Sequence, residues 1–174
     1  MKYKIFIDGK EGTTGLKIFE RFENRNDIEI ITIEESKRKD PVEKSKIINA
    51  SDFTFLCLPD AAAIESAALC TNPHTKIIDA STAHRTNPAW AYGFPELDKS
   101  FREKITESHR VAVPGCYASG SNAILYQLVK SNVMPKDYPV SAFSLTGYSG
   151  GGKKMIAEYE EDGRNKDTFA PREY

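Results

Sequence analysis

Short apolar runs and amphipathic stretches alternate along the first part of the chain. Apolar, β-branched runs predict strands at residues 4–8, 28–33, 53–58 and 76–79. Helix signals fall between them, at Leu16 to Phe22, Pro41 to Asn49 and Ala61 to Cys70, and Asp60 is expected to cap the last of these. Strands that alternate with helices predict right-handed crossovers and a doubly wound, mostly parallel α/β sheet.

The pattern changes near Pro114. Residues 81–96 are predicted to form a polar and aromatic loop, and an apolar strand at 110–113 leads through a Pro-Gly turn into a helical run. A further strand is predicted at 140–146, and the charged stretch 158–174 carries no packing signal. We therefore predict a Rossmann-like domain at residues 1–114 and the start of an α+β domain at 115–174.

Composition excludes several classes of protein. The chain has 174 residues with 24 basic and 25 acidic side chains, so charge gives no argument for nucleic acid or an anionic membrane as a partner. No apolar run is long enough to span a bilayer, and the N-terminus lacks the features of a signal peptide. Three irregularly spaced cysteines fit a reducing cytosol rather than a disulfide framework, and no Cys/His cluster has metal spacing.

A glycine-rich turn follows the first predicted strand. Gly9, Gly12 and Gly15 are spaced G-x-x-G-x-x-G, which differs from the usual G-x-G-x-x-G of dinucleotide folds. Such glycines allow a tight turn, close approach of a pyrophosphate and close helix–strand packing, and Thr13 and Thr14 add hydroxyl donors. The alternative is a plain strand–helix turn. Its position before the first helix favours a dinucleotide site.

The loop after the second strand bears on cofactor choice. Glu34 and Glu35 would suit the free 2′-hydroxyl of NAD, whereas Ser36, Lys37 and Arg38 would suit the 2′-phosphate of NADP. A solvated run of charges is the structural alternative. Basic residues outnumber acidic ones at the tip of the loop, which favours NADP while leaving NAD open.

Cys116 is the candidate nucleophile. It lies at the exit of a strand and in the first turn of a predicted helix, where unpaired backbone N–H groups stabilise a thiolate and lower its pKa. Such a thiolate can attack a carbonyl carbon. The alternative is a small, packed cysteine. Cys57, in an apolar strand, and Cys70, near a helix end, are interpreted as packing residues.

The segment Asp79 to Arg85 is dense in polar groups. Ser81 and Thr82 offer hydroxyls, and Arg85 offers a fork of donors that fits a phosphate or carboxylate of the substrate. His84 can titrate near neutral pH, so a cysteine hydrolase with His84 as its base is one alternative. A hydrolase does not need the glycine-rich first turn, which counts against it. A capped surface loop is the structural alternative.

Six ordered motifs closely resemble those of the N-acetyl-gamma-glutamyl-phosphate reductase family, especially its shorter, second type. Aspartate-semialdehyde dehydrogenase is a more distant relative with the same fold and chemistry. The motifs that carry the resemblance are Gly9 to Gly15, Cys57 to Asp60, Asp79 to Arg85, Tyr92 to Glu96, Pro114 to Tyr117 and Gly147 to Gly152.

The resemblance implies a reaction and assigns roles. The family reduces N-acetylglutamyl 5-phosphate to the 5-semialdehyde with NADPH, through a cysteine thioester, in arginine biosynthesis. Cys116 then corresponds to the nucleophile, and Arg85 to a holder of substrate phosphate. The pyrophosphate loop corresponds to Gly9, Thr13, Thr14 and Gly15, and the loop beside the nicotinamide to Ser149, Gly150 and Gly151.

The resemblance also implies that residues 1–114 bind NAD(P) and that residues 115–174 begin a catalytic and dimerisation domain. Family members are longer, form homo-oligomers, and use an acid–base histidine downstream of the segment that matches Ser149. This chain has no histidine after His109. It is therefore expected to be an N-terminal fragment of a cytoplasmic enzyme, and a nucleotide-binding module without turnover remains an alternative.

Overall fold

The computed structural model describes residues 2–160, apart from the side chain of Lys154. The strands are β1 (Tyr3–Asp8), β2 (Ile28–Ile31), β3 (Phe53–Leu56), β4 (Lys76–Asp79), β5 (Ala91–Tyr92) and β6 (Arg110–Ala112). The helices are α1 (Thr13–Phe22), α2 (Pro41–Ala50), α3 (Asp60–Ala68), α4 (Lys99–Glu107), α5 (Cys116–Lys130) and α6 (Gly152–Glu160). Short 3-10 turns cover Glu35–Lys37 and Tyr148–Gly151.

The strands form one six-stranded sheet in the order β2-β1-β3-β4-β6-β5. Every paired strand runs parallel to its neighbour. The chain passes from β1 to β2 on one side and then crosses to β3 on the other. The carboxyl ends of β1 and β3 therefore flank a topological switch point, where doubly wound sheets bind ligands. The predicted doubly wound parallel sheet is confirmed.

Apolar side chains cover both faces of the sheet, as its parallel topology requires. One cluster joins Leu56 and Ile77 of the sheet to Ala63 and Ala67 of α3. The other joins Ile5, Ile7 and Ile28 to the apolar face of α1. Burying one large aliphatic side chain contributes about 1.5–3 kcal/mol, so these two layers hold the carboxyl edge of the sheet in place.

The chain divides into two compact units between Ala142 and Phe143. The first contains the sheet and α5, which is tied down by Asn122 Nδ2 donating to Tyr92 Oη at 2.9 Å and Gln127 Nε2 donating to the Leu97 carbonyl at 2.7 Å. In the second, Tyr148 precedes α6. No helix within residues 2–160 is long and apolar enough to cross a membrane.

Three predictions of local structure are wrong. Residues 140–146 form no strand; Phe143 and Leu145 are 89% and 81% exposed, and a lone strand has no ladder to satisfy its backbone. Asp60 does not cap α3, because Pro59 is the N-cap residue. The loop at 81–96 contains β5, whose two residues are too few to show a period.

Helix α4 was also missed by the sequence prediction. Its nine residues are mostly polar or charged, and none of them is buried. The sequence nevertheless contains a signal for the start of α4, since aspartate is a favoured N-cap residue. In the structure Asp98 is that N-cap, and its side chain accepts a hydrogen bond from the Ser100 N–H at 2.8 Å.

The predicted charged stretch 158–174 lies outside the described residues after Glu160.

Candidate functional site

The glycine turn lies at the switch point of the sheet. Gly9 has a φ of 86°, and a Cβ there would lie 2.2 Å from the Cys57 carbonyl oxygen. A Cβ on Gly15 would lie 2.3 Å from the Gly9 carbonyl oxygen. The Gly12 N–H donates to that same oxygen at 2.9 Å. A side chain at Gly9 or Gly15 would therefore push the strand, the turn and α1 apart.

The start of α1 leaves backbone donors for an anion. Gly12 is the N-cap residue and supplies no side-chain cap, and the first turn carries no acidic residue. The first intrahelical bond runs from the Leu16 N–H to the Gly12 carbonyl at 2.9 Å. The N–H groups of Thr13, Thr14 and Gly15 precede it, as orphan donors do at a helix start. The turn therefore fits a pyrophosphate without change.

A pocket of about 530 Å³ opens beside this turn, between the carboxyl ends of β1 and β2. Its volume falls within the usual range for small-molecule sites. Arg38 lines it, and so does Lys39. Among the predicted 2′-phosphate residues, Arg38 pairs with Glu35 at 2.9 Å, Lys37 pairs with Glu34 at 3.0 Å, and Ser36 is exposed.

A buried ion pair supports the end of β1 just before the turn. Lys44 Nζ of α2 lies 3.0 Å from Asp8 Oδ2, and Ser66 Oγ of α3 donates to the same oxygen at 2.9 Å. Removing one partner of such a pair leaves a buried charge, which is costly. The sequence showed only a carboxylate at the end of an apolar strand, so Lys44 and Ser66 went unpredicted.

Cys116 is the first residue of α5, and it is exposed. Its N-cap residue, Gly115, supplies no side-chain cap. The other two cysteines differ: burial raises the pKa of Cys57 to about 12, helped by Asp8 and Asp79, and burial also raises the pKa of Cys70. The structure therefore exposes the thiol that was predicted to react and shields the two interpreted as packing residues.

Arg85 bridges the carboxyl ends of two strands next to Cys116. Its Nε donates to the Val113 carbonyl at 2.9 Å, after β6, and its Nη2 donates to the Ala80 carbonyl at 3.1 Å, after β4. A Cβ on Gly115 would lie 2.9 Å from Nη1. The guanidinium thus lies against the residue that precedes the candidate nucleophile, where it can hold an anionic leaving group.

The rest of the predicted polar segment points inward. Ser81 Oγ donates to Asp79 Oδ2 at 2.7 Å, and His84 Nδ1 donates to the same oxygen at 2.6 Å. Asp79 is fully buried, and the His84 ring stacks on Trp90 at 3.9 Å between centroids. The Ser81 hydroxyl therefore donates its hydrogen bond to Asp79. His84 is buried, with its Nδ1 bonded to Asp79 and its ring packed on Trp90.

The outer part of this loop is tied to α3. The Thr82 N–H donates to Asp60 Oδ1 at 2.9 Å, and Thr82 Oγ1 donates to Asp60 Oδ2. These bonds hold the pKa of Asp60 below its usual range. Asp60 thus anchors the loop instead of capping its own helix.

Ser149, Gly150 and Gly151 lie in the second unit. They form the 3-10 turn before α6, in which the Gly150 N–H donates to the Gly147 carbonyl at 2.9 Å. A Cβ on Gly150 would lie 2.5 Å from Thr146 Oγ1, so a side chain here would have to displace that hydroxyl. Their predicted place beside a nicotinamide stays a prediction.

A parallel, doubly wound sheet with a glycine turn at its switch point defines an α/β protein of the nucleotide-binding class. The chain belongs to the semialdehyde dehydrogenase family: the family model described as "Semialdehyde dehydrogenase, NAD binding domain" matches residues 4–108.

Similar sequences include N-acetyl-gamma-glutamyl-phosphate reductase of Chelativorans sp., 50% identical over 98% of this chain and 55% of the relative. N-acetyl-gamma-glutamyl-phosphate reductase 2 of Pseudomonas putida is 48% identical over 93% of this chain and 52% of the relative. The chain thus spans about half the length of the relatives it matches.

Solved structures confirm the fold. Aspartate semialdehyde dehydrogenase II of Vibrio cholerae superposes with a TM-score of 0.63 at 14% identity, over 91% of this chain and 50% of that one. The aspartate semialdehyde dehydrogenase of Francisella tularensis also gives a TM-score of 0.63 at 14% identity, over 90% of this chain and 48% of that one.

Proposed function

We propose that the chain forms the cofactor domain and carries the nucleophile of an N-acetyl-gamma-glutamyl-phosphate reductase. The reaction is the NADPH-dependent reduction of N-acetylglutamyl 5-phosphate to N-acetylglutamate 5-semialdehyde and phosphate. The observation that carries the proposal is the exposed Cys116 at the start of α5, with Arg85 held against Gly115. Relatives of that name are 50% and 48% identical to this chain over 98% and 93% of its length.

Cofactor binding follows from the switch-point geometry. The pyrophosphate takes the orphan N–H groups of Thr13, Thr14 and Gly15 at the start of α1. Gly9 and Gly12 keep side chains away from it, and the adenosine end occupies the pocket between β1 and β2. In this proposal the NAD(P)-binding domain ends near Pro114.

Cys116 is the nucleophile in this proposal. Its thiolate attacks the acyl carbon, the C–O bond to phosphate breaks, and a thioester forms while inorganic phosphate leaves. Arg85 binds the departing phosphate, and backbone N–H groups at the start of α5 stabilise the oxyanion. The chemistry that bound NADPH supplies is a hydride for the thioester carbon. The resulting tetrahedral alkoxide re-forms its C=O bond and expels the Cys116 thiolate, which releases the semialdehyde.

The setting of the reaction is part of the proposal. We propose a cytoplasmic enzyme, in keeping with three free cysteines, and a homo-oligomer. Helix α5 has no buried residue, and Ile124 on it is 63% exposed. Apolar surface of this kind commonly marks a contact with another protein surface.

An aspartate-semialdehyde dehydrogenase activity is the nearest competing function. It rests on solved structures at 14% identity, which establish the fold but do not distinguish substrates. A module that binds the nucleotide without turnover differs from the proposed enzyme by an observable step, because it would form no thioester.

Intact-mass spectrometry of the chain after incubation with N-acetylglutamyl phosphate tests the chemical step. We expect one acyl adduct on the parent, none on Cys116→Ser, and an unchanged adduct on the matched control Cys70→Ser. NADPH oxidation is followed in parallel at the nicotinamide absorbance. An adduct that persists in Cys116→Ser, or its absence from the parent, would contradict the proposal.

A further inference from the structure

Four cations line the pocket beside the glycine turn, and three of them already have a partner within the chain. Lys44 lies 3.0 Å from Asp8, and Arg38 lies 2.9 Å from Glu35. Lys10 Nζ lies 4.0 Å from the centre of the Phe19 ring, in a cation–π contact. The fourth is Lys39, which makes neither an ion pair nor a cation–π contact within the part of the chain that the structure describes. A lysine ammonium without a carboxylate partner keeps its three donors and its full charge for a ligand.

The backbone that carries Lys39 is fixed on its C-terminal side. The Asp40 N–H donates to the Lys37 carbonyl at 2.8 Å, and Asp40 Oδ1 accepts from the Val42 N–H at 2.8 Å as the N-cap of α2. Lys39 therefore lies in a closed turn that lines the pocket. A side chain anchored in this way loses less freedom when it binds than one on a loose loop.

Lys37 provides a natural contrast two residues away. Its ammonium lies 3.0 Å from Glu34, and the side chain is 52% exposed. An ion pair of this i,i+3 type is worth only a few tenths of a kcal/mol, so what sets Lys37 apart from Lys39 is that it does not line the pocket. The two lysines thus share chemistry and loop, and differ in whether they face the pocket.

We propose that Lys39 selects NADPH over NADH by binding the 2′-phosphate of the adenosine ribose. This inference rests on the dinucleotide binding proposed above and names the selecting residue within that site. Arg38 is a weaker contributor, because Glu35 already holds it. The proposal therefore moves the main determinant away from Lys37, although all three residues belong to one basic run.

Isothermal titration of the 174-residue chain with NADPH, NADH, 2′,5′-ADP and 5′-AMP tests the assignment. Lys39→Ala should weaken NADPH and 2′,5′-ADP by roughly 10–100-fold, the size of one charge-assisted hydrogen bond. NADH and 5′-AMP should change by less than about threefold. Lys37→Ala is the matched control and should leave all four ligands within the same limit. Lys39→Arg should keep most of the preference.

The outcomes separate this inference from the proposed function. Equal effects of Lys37→Ala and Lys39→Ala, or an equal loss of NADH and NADPH in Lys39→Ala, would overturn Lys39 as the selector while leaving dinucleotide binding intact. Equal affinity of the parent for NADPH and NADH would do the same. A parent that binds none of the four ligands would overturn both.

Discussion

Two strand–glycine–helix turns in this sheet have almost the same backbone and different surroundings. Gly12, before α1, has φ −75° and ψ 161°, and Gly115, before α5, has φ −77° and ψ 162°. Each is an N-cap residue without a side-chain cap. Each therefore presents orphan N–H groups at the carboxyl edge of a parallel sheet.

The difference lies in what faces each turn. The first is packed against main chain, because the carbonyls of Cys57 and Gly9 lie where side chains would go. The second faces the Arg85 guanidinium and begins its helix with an exposed thiol. One backbone geometry is thus suited to anion binding in one place and to covalent chemistry in the other. The groups that the neighbouring strands and loops place against each turn make the difference.

The support beneath the second turn gives the largest expected effect. Asp79→Ala leaves Ser81 and His84 without their buried acceptor, so unfolding should lose about 3–5 kcal/mol. Urea denaturation measures this loss. Asp60→Ala removes the exposed carboxylate that binds the same loop; it is the control and should cost much less. Similar losses for both variants would show that the buried hydrogen bonds of Asp79 stabilise the fold no more than the exposed ones of Asp60 do.

The two turns should respond differently to a methyl group. Gly9→Ala forces a positive φ on alanine and a clash with a carbonyl, and should cost about 3 kcal/mol. Gly115→Ala meets only the end of the Arg85 side chain, which can move, and should cost about 1 kcal/mol. Thermal melts of both variants compare them. A larger loss for Gly115→Ala would reverse the contrast.

The thiol beneath the first turn predicts a dependence of stability on pH. The pKa of Cys57 is raised to about 12 in the folded state, so its contribution is complete below about pH 9 and is lost as pH rises toward 12. By pH 11 the parent should lose about 2–3 kcal/mol more than Cys57→Ala. Urea midpoints at pH 8 and pH 11 test this. Parallel losses in both proteins would refute it.

The thiol at the second turn should be the reactive one. Cys116 should react with iodoacetamide at pH 7 at least about tenfold faster than Cys57 or Cys70, since it is exposed and burial raises the pKa of the other two. Peptide mapping after brief labelling gives the three rates. In denaturant the rates should converge. Faster labelling of either shielded cysteine would count against Cys116 as the nucleophile.

The smallest effect concerns a glycine that no turn requires. A Cβ on Gly120, within α5, meets nothing within 4 Å, so Gly120→Ala should stabilise the chain by about 0.5–1 kcal/mol. Thermal melts of Gly120→Ala and Gly9→Ala should show a higher melting temperature for the first variant and a lower one for the second. Destabilisation here would mean that α5 has a neighbour at this position.

The local pattern of residues determined the strand–helix alternation, the parallel sheet and the location of both glycine turns. Apolar runs, helical periodicity and glycine spacing act over a few residues, and the structure follows them from β1 to β4 and again from β6 to the start of α5. The strand expected at 140–146 failed for the opposite reason, because a strand exists only when a partner completes its ladder.

Only the tertiary structure decided which charged and polar groups come into contact. Lys44 and Ser66 converge on Asp8 from two helices, and Arg85 reaches the Val113 carbonyl from a different strand end. Each pair joins residues far apart in sequence, so no local pattern contains it. The same holds for Lys39 and Lys37, which look alike in the sequence. They differ only because the fold turns one toward the pocket and leaves the other beside Glu34.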